Sequence, residues 1–353
     1  MKLLILSRYG RLGASSRLRM MQYQEAFEAA GICVEILPFF DDDYLRKLYL
    51  KKADYAGICK YYLKRVYSIL STEKPDVIWL EKEVLPWLPA FIENFLLPRR
   101  VPIVSDYDDA VFHRYDRHTN PVVRNILGNK IDHIMRRSAL VMAGNPYLAS
   151  RAVHAGAKRV EIVPTVVDEQ VYSVTPELAL DGRLRIGWIG TPSTWNEYMV
   201  PMRNMLFDLA QEHDAVLRVV GAGVPNDVMM ESFAWSEESE SILIQGMDIG
   251  LMPLNDSPWS LGKCGYKLIQ YMACGLPVIA TPVGVNVDIV ENGVTGFLVR
   301  NHGEWRYAVK TLLSDPNLRR RMGAAGRKRM EERYSLRKWG SKVASLLHEI
   351  AAR

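Results

Sequence analysis

Cysteine is scarce in this sequence: there are four among 353 residues, Cys33, Cys59, Cys264 and Cys274. They show neither CxxC nor zinc-type spacing, which excludes a disulfide scaffold and fits free thiols in a reducing cytosol. The seven histidines are scattered and none pairs with a cysteine at metal-ligand spacing, so no metal site is expected. Long hydrophobic runs are also missing. No stretch approaches the roughly 18 apolar residues of a membrane span. The first apolar run covers only residues 3–6 before Arg8 and Arg11, which excludes the h-region of a signal peptide. Charge of one sign is nearly balanced, 45 Lys and Arg against 40 Asp and Glu, a net +5. That mild excess suits a surface meeting phosphates and does not announce nucleic acid. The phosphate-binding GxGxxG is absent: Gly10-Arg11-Leu12-Gly13 lacks the spacing, and Gly221-Ala222-Gly223 has Asn226 at the third position. A nicotinamide-dependent oxidoreductase is correspondingly disfavoured. No GxSxG elbow, short-period repeat or low-complexity tract occurs.

What is present is an ordinary soluble composition, 48% hydrophobic and 24% charged, which excludes disorder, collagen and coiled coil. The length suits two domains. Short apolar runs at 3–7, 34–37, 75–80, 102–105, 140–143 and 160–164 alternate with helical patterns such as 17–30. That alternation predicts βαβ units and a parallel sheet covered on both faces. The pattern restarts with strands at 184–189, 215–220, 248–253, 277–281 and 296–299 and helices at 199–212, 265–273, 305–313 and 316–332. The predicted architecture is α/β, with two Rossmann-like doubly wound domains, residues 1–167 and 183–335. The Pro176-containing stretch 168–181 reads as the linker. A final helix, 336–353, presents Trp339, Val343, Leu346, Leu347 and Ile350 on one face. Open α/β sheets bind ligands at the carboxyl ends of their strands, so function is sought there.

The stretch from Asp248 to Val299 is the most informative. A buried strand runs into a polar loop, and a helix opens near Gly262 to Gly265, with Lys263 in its first turn and Lys267 one turn later. Free N–H groups, glycines and two cations make a sensible phosphate site. The plainer reading is solvated lysines and turn glycines. In the first half, Asp106-Tyr107-Asp108-Asp109 follows a strand. Its carboxylates either act as a general base, or cap a helix or pair with Arg114 or Arg117. The segment 44–67 interleaves Arg46, Lys47, Lys51, Lys52, Lys60, Lys64 and Arg65 with Tyr44, Tyr49, Tyr55, Tyr61, Tyr62 and Tyr67. It suits either an anionic membrane surface or a solvated basic face with its tyrosines packed inward.

Taken together, IGWIG (186–190), LRVVGAG (217–223), DIGLMPL (248–254), GKCGYKLIQYMACGLPVIAT (262–281), VGVN (283–286) and IVENGVTGFLV (289–299) resemble the C-terminal domain of family 4 glycosyltransferases. These are retaining, nucleotide-sugar-dependent enzymes of GT-B fold. The resemblance continues through 315–335 and, more loosely, through SDYDDAVF (105–112) and VPTVVD (163–168). It implies two domains facing a cleft, with the last helix returning to the first domain. The implied reaction is transfer of a hexosyl unit to a hydroxyl of a glycan or lipid-linked glycan in cell-surface polysaccharide synthesis. No essential metal or other cofactor is implied.

The family's two signature glutamates, one for the donor sugar and one for the ribose, correspond here to Gly262 and Gln270. Gln270 retains hydrogen-bonding capacity toward a ribose diol, while sugar contacts pass to Lys263 or to the backbone at Cys264 and Gly265. The basic diphosphate loop of the family corresponds to Gly190-Thr191-Pro192-Ser193-Thr194, without a cation. Lys263 and Lys267 are therefore expected to supply the charge, with Thr191, Ser193 and Gly190 adding polar contacts. Trp235 either stacks on the base or is an ordinary exposed or core tryptophan; Gly13 is placed in the turn facing the phosphates, and Arg17 and Arg19 toward acceptor or donor. Asp106 or Asp108 stands where relatives carry a histidine near the reacting centre. The expected location is the cytoplasm, and the membrane-surface reading of 44–67 adds peripheral contact at the inner face of the membrane. The missing glutamates leave one alternative: a catalytically silent GT-B protein that binds a nucleotide sugar or a partner.

Overall fold

The computed structural model describes residues 1–49, 57–174 and 182–352. The chain divides into two compact units. The first comprises Met1–Thr165, Gly262–Cys264 and Arg337–Arg353; the second comprises Val166–Leu261 and Gly265–Leu336.

Among the described residues, the first unit is built on a six-stranded parallel sheet: β1 (Lys2–Tyr9), β2 (Cys33–Phe40), β3 (Val77–Glu81), β4 (Ile103–Tyr107), β5 (Leu140–Ala143) and β6 (Val160–Ile162). Its order is β2-β1-β3-β4-β5-β6. The helices are α1 (Ala14–Arg19), α2 (Gln24–Ala29), α3 (Asp42–Tyr49), α4 (Ile58–Ser71), α5 (Ala90–Leu96), α6 (His113–Asp116), α7 (Pro121–Leu127), α8 (Lys130–Arg137) and α9 (Pro146–His154). The central strands are buried on both faces, as parallel strands covered by helices must be, which is why β1 reads as an unbroken apolar run. Leu4, Leu6, Ile78, Leu80, Ile103 and Val141 share one core. Each such side chain contributes about 1.5–3 kcal/mol on burial.

The second unit repeats the plan with β7 (Leu184–Ile189), β8 (Ala215–Val220), β9 (Met230–Phe233), β10 (Ile249–Met252), β11 (Val278–Ala280) and β12 (Gly296–Leu298), in the order β12-β11-β10-β7-β8-β9. Its helices are α10 (Pro192–Thr194), α11 (Arg203–Glu212), α12 (Glu237–Gln245), α13 (Pro258–Leu261), α14 (Tyr266–Ala273), α15 (Asn286–Ile289), α16 (His302–Ser314) and α17 (Pro316–Arg333). α18 (Leu336–Ala351) closes the chain. In the first sheet the order reverses between β1 and β3, and in the second between β7 and β10. A crevice opens at the carboxyl ends of the strands at each reversal.

Two expectations about segments change, those for the linker and for the basic segment. The stretch 166–174 is not a free connector: Val167 N–H donates to Tyr334 O at 3.0 Å, and Tyr172 is buried in the second unit's core. The rest of the expected linker, 175–181, lies outside the described residues. In the basic segment, Tyr44 stacks on Phe40 with ring centroids 4.0 Å apart, and Tyr61 and Tyr62 pack on the same core. Arg65 is buried, donating to Leu37 O at 2.7 Å. Those three tyrosines and Arg65 therefore face the protein, because the apolar ends of β2 need covering. Lys51, Lys52 and Tyr55 lie outside the described residues, as does the side chain of Tyr49. Along α18, Val343, Leu346, Leu347 and Ile350 are buried within the first unit, and His348 reaches Ala30 O at 3.0 Å. Trp339 is half-buried beneath Lys342.

Candidate functional site

In the first unit, Glu81, Lys82 and Glu83 leave the end of β3 at the reversal point. Lys82 adopts φ 64° and is 6% exposed. Its Nζ lies 2.8 Å from Asp108, 3.9 Å from both Glu81 and Asp109, and 3.2 Å from Ser15 Oγ at the start of α1. Burial works against its charge, but those carboxylates raise its pKa above the ordinary value. Burial likewise opposes ionisation of Asp108, yet Lys82 holds its pKa at about 2. The turn through Gly13 is fastened by Asp42, which accepts from Leu12 N–H at 3.0 Å. Below the crevice, Glu83 takes Lys130 at 2.7 Å, Arg8 at 3.0 Å and Tyr115 Oη at 2.8 Å.

Asp106 is turned into the protein. It and Arg19 are each 1% exposed and meet through two parallel hydrogen bonds of 2.8 and 2.9 Å. Arg19 also donates to Val163 O at 2.7 Å. Arg17 is buried too, its Nη1 on Arg11 O at 3.0 Å. The pairing with Arg114 or Arg117 is replaced by Arg19 and Lys82. Asp108 is an already-paired carboxylate and a weak base at neutral pH. Asp109, 26% exposed, faces Lys263 at 3.3 Å.

The helix does not open at Gly262. α14 begins at Tyr266, because Gly265 takes φ +67° and breaks helical continuity. Lys263 therefore precedes the helix; its carbonyl accepts from Asn145 Nδ2 at 2.9 Å within the first unit. Cys264 is buried beside it, Sγ 3.1 Å from Asp108 O, and burial pushes its thiol pKa up. Only its backbone is left for a ligand. A Cβ at Gly262 would stand 2.6 Å from Ala110 N, so no glutamate fits there.

In the second unit several expected residues do come together at the carboxyl ends of β7, β8 and β9. A Cβ on Gly221 would lie 2.5 Å from Gly190 O and 3.2 Å from Trp235 Cβ. Gly190 also lies against the Trp188 ring, and Lys267 Nζ sits 5.8 Å from that ring's centroid. Thr191 and Ser193 are exposed, their hydroxyls 3.0 Å apart, and Thr191 caps α10. Gln270 is corrected: it is 2% exposed, and its Nε2 donates to Tyr172 Oη at 2.9 Å and to Glu240 at 2.6 Å. Glu240 also receives Tyr172 Oη and Trp235 Nε1. Trp235 is thus held edge-on by α12 and half-buried. A separate cavity of about 250 Å³, lined by Trp195, Arg203, Phe207 and Asn226 among others, includes none of the expected donor residues.

Lys82, Arg19, Trp188 and Glu240 were missed as positioning residues. Lys82 alone left a legible signal, a charged triplet directly after an apolar strand. The partners of Glu240 stand 68 and 30 residues away, at Tyr172 and Gln270, and no local pattern links them.

The two parallel sheets with flanking helices are two Rossmann-like α/β domains of GT-B type. A crystal structure of Anabaena HepE, in complex with UDP and glucose, superposes with a TM-score of 0.71 at 17% identity, covering 99% of this chain and 100% of that one. Residues 208–329, from within α11 to within α17, match the family model described as glycosyl transferases group 1. Over 64 residues the chain is 39% identical to a D-inositol 3-phosphate glycosyltransferase of Thermobifida fusca, 18% of this chain and 15% of that protein. Over 74 residues it is 39% identical to the capsular polysaccharide biosynthesis glycosyltransferase CapM of Staphylococcus aureus, 20% of this chain and 19% of that protein. The chain therefore aligns with less than a fifth of either relative's length.

Proposed function

We propose that the protein is a retaining glycosyltransferase of family 4. It moves a hexosyl unit from a nucleoside-diphosphate sugar to a hydroxyl of a glycan or lipid-linked glycan in cell-surface polysaccharide synthesis, on the cytoplasmic side. The observation that carries this reading is the match of residues 208–329 to glycosyl transferases group 1. That stretch includes the loop after β8, Trp235, Gly265 and Lys267. The likeness to CapM favours a polysaccharide product, and the UDP and glucose in the Anabaena neighbour favour a nucleotide-sugar donor.

In this reading the donor binds the second unit. The diphosphate lies near Gly190, Thr191 and Ser193 and the amino end of α14, where Lys267 and the backbone N–H groups stabilise charge as the leaving group departs. No metal is required. The base lies by Trp235. With Gln270 turned to Glu240, ribose and sugar contacts fall to backbone at 264–265 and to hydroxyl groups. The acceptor belongs to the first unit, where Asp109 is the more exposed of the loop carboxylates, at 26% against 14% for Asp108.

The test is a thermal-shift panel of UDP and GDP sugars against NAD(P), followed by donor hydrolysis and transfer assays on the purified chain. A ligand that binds only the folded form raises the melting temperature. Stabilisation by one nucleotide sugar, and turnover of it, is expected. Stabilisation by NAD(P) alone would overturn the reading. Binding without turnover would select the silent alternative, which the engaged Gln270 and the side-chain-less Gly262 favour. Lys267→Ala is expected to weaken nucleoside diphosphate binding by about 1.5–3 kcal/mol, the range for hydrogen bonds to charged groups. Isothermal titration reads it.

A further inference from the structure

The first unit carries an apolar surface that its own fold leaves uncovered. On α4, Leu63, Tyr67 and Leu70 recur at i, i+4 and i+7, one face of a helix, and are 71%, 73% and 69% exposed. On α5, Phe91 and Phe95 stand one turn apart, 70% and 90% exposed. The two helices are neighbours: Leu70 and Ile69 of α4 line a cavity of about 220 Å³ together with Leu96 of α5 and Pro98. Their inward faces, with Ile69, Ile92 and Leu96, pack on the core of this unit, so the outward residues are not spare core. Large aromatic and aliphatic side chains exposed side by side mark an interaction surface.

Charge identifies the occupant. Lys60 and Lys64 on α4, Lys74 in the following loop, and Arg99 and Arg100 after α5 are all exposed. None of the five forms an ion pair among the described residues. The acids nearby are already taken: Glu73 pairs with Lys2 at 2.7 Å, and buried Glu93 pairs with Lys130 at 2.8 Å. A surface of protruding aromatics within a ring of uncommitted cations matches the boundary between anionic headgroups and acyl chains. We propose that the α4–α5 face docks the protein on an anionic lipid bilayer, with Phe91, Phe95, Tyr67 and Leu63 entering the interface and Lys60, Lys64, Arg99 and Arg100 meeting the headgroups. The contact expected from composition over 44–67 thereby moves to the outer stripe of α4 and gains α5, while Tyr44, Tyr61 and Tyr62 face the core. The docking stands on this geometry alone. Its assay contains no sugar donor, so its failure and that of the transferase reading are separable.

The test is co-sedimentation of the full chain with phosphatidylcholine vesicles, with and without phosphatidylglycerol. Binding is expected only with phosphatidylglycerol and is expected to fall as salt rises. The double variant Phe91→Ser/Phe95→Ser is expected to lower the partition coefficient about tenfold or more. Lys64→Glu/Arg99→Glu is expected to abolish the preference for the anionic lipid. Both variants change exposed side chains, and an unaltered thermal transition certifies their folding. Failure to bind phosphatidylglycerol vesicles overturns the proposal, as does equal binding by the folded Phe91/Phe95 variant. Capture by soluble polyglutamate without vesicle binding also overturns it, in favour of an acidic protein partner.

Discussion

Arg19 closes on Asp106 through two parallel hydrogen bonds in a site from which water is excluded. Two residues on, Asp108 meets Lys82 instead. Removing one partner of a buried pair strands the other charge, which typically costs 3–5 kcal/mol. Asp106→Ala is therefore expected to lower stability by about 3–5 kcal/mol, read by denaturant unfolding. Asp108 makes a different prediction, because a carboxylate held below its usual range adds stability above that range and loses it as pH falls through the lowered value. With its pKa at about 2, its contribution is intact near neutral pH and disappears between about pH 4 and pH 2. Acid unfolding of Asp108→Asn is expected to be shallower than that of the wild type over that window. At Gly262, restoring the family's glutamate is expected to destabilise the protein rather than improve catalysis, since the new Cβ meets the backbone of Ala110. Comparative thermal unfolding of Gly262→Glu reads this.

At the scale of elements, the strands with unbroken apolar runs were legible because a parallel strand buried on both faces has no room for polar alternation. β9 and α12 were not. MESF places Glu231 and Ser232 inside an edge strand beside β8, and the glutamates and serines of α12 mask its helical period. The helix expected over 265–273 begins one residue later, at Tyr266, and Lys263 falls outside its first turn because the glycines at 262 and 265 look alike in sequence; of the two, only Gly265 takes the left-handed φ. That φ, with Ile289 Cδ1 2.2 Å from where a Cβ would sit, makes the amino end of α14 sensitive. Gly265→Ala is expected to cost about 1–3 kcal/mol and to weaken nucleotide binding with it. Calorimetry with and without nucleoside diphosphate separates the two effects.

For the molecule as a whole, two compact units with separate cores mean that a ligand of one unit stabilises that unit first. A nucleoside diphosphate at about 100 times its dissociation constant is expected to add about 2.7 kcal/mol to the folded form. Five of the eight tryptophans (Trp188, Trp195, Trp235, Trp259 and Trp305) lie in the second unit and Trp79, Trp87 and Trp339 in the first, so tryptophan fluorescence on heating reports both units, and an upward shift of that signal with the ligand is the expected outcome. The order of strands and helices, the repeat of one α/β plan and the lack of a transmembrane run were written in local composition, because burial on one face or two imposes a period that survives without the fold. Which charges pair was not. Arg19 with Asp106, Lys82 with Asp108, and Glu240 with Gln270 join residues 87, 26 and 30 positions apart. Whether a carboxylate is a base, an ion-pair partner or a hydrogen-bond acceptor depends on the side chain that packing sets beside it, and packing is a property of the folded chain alone.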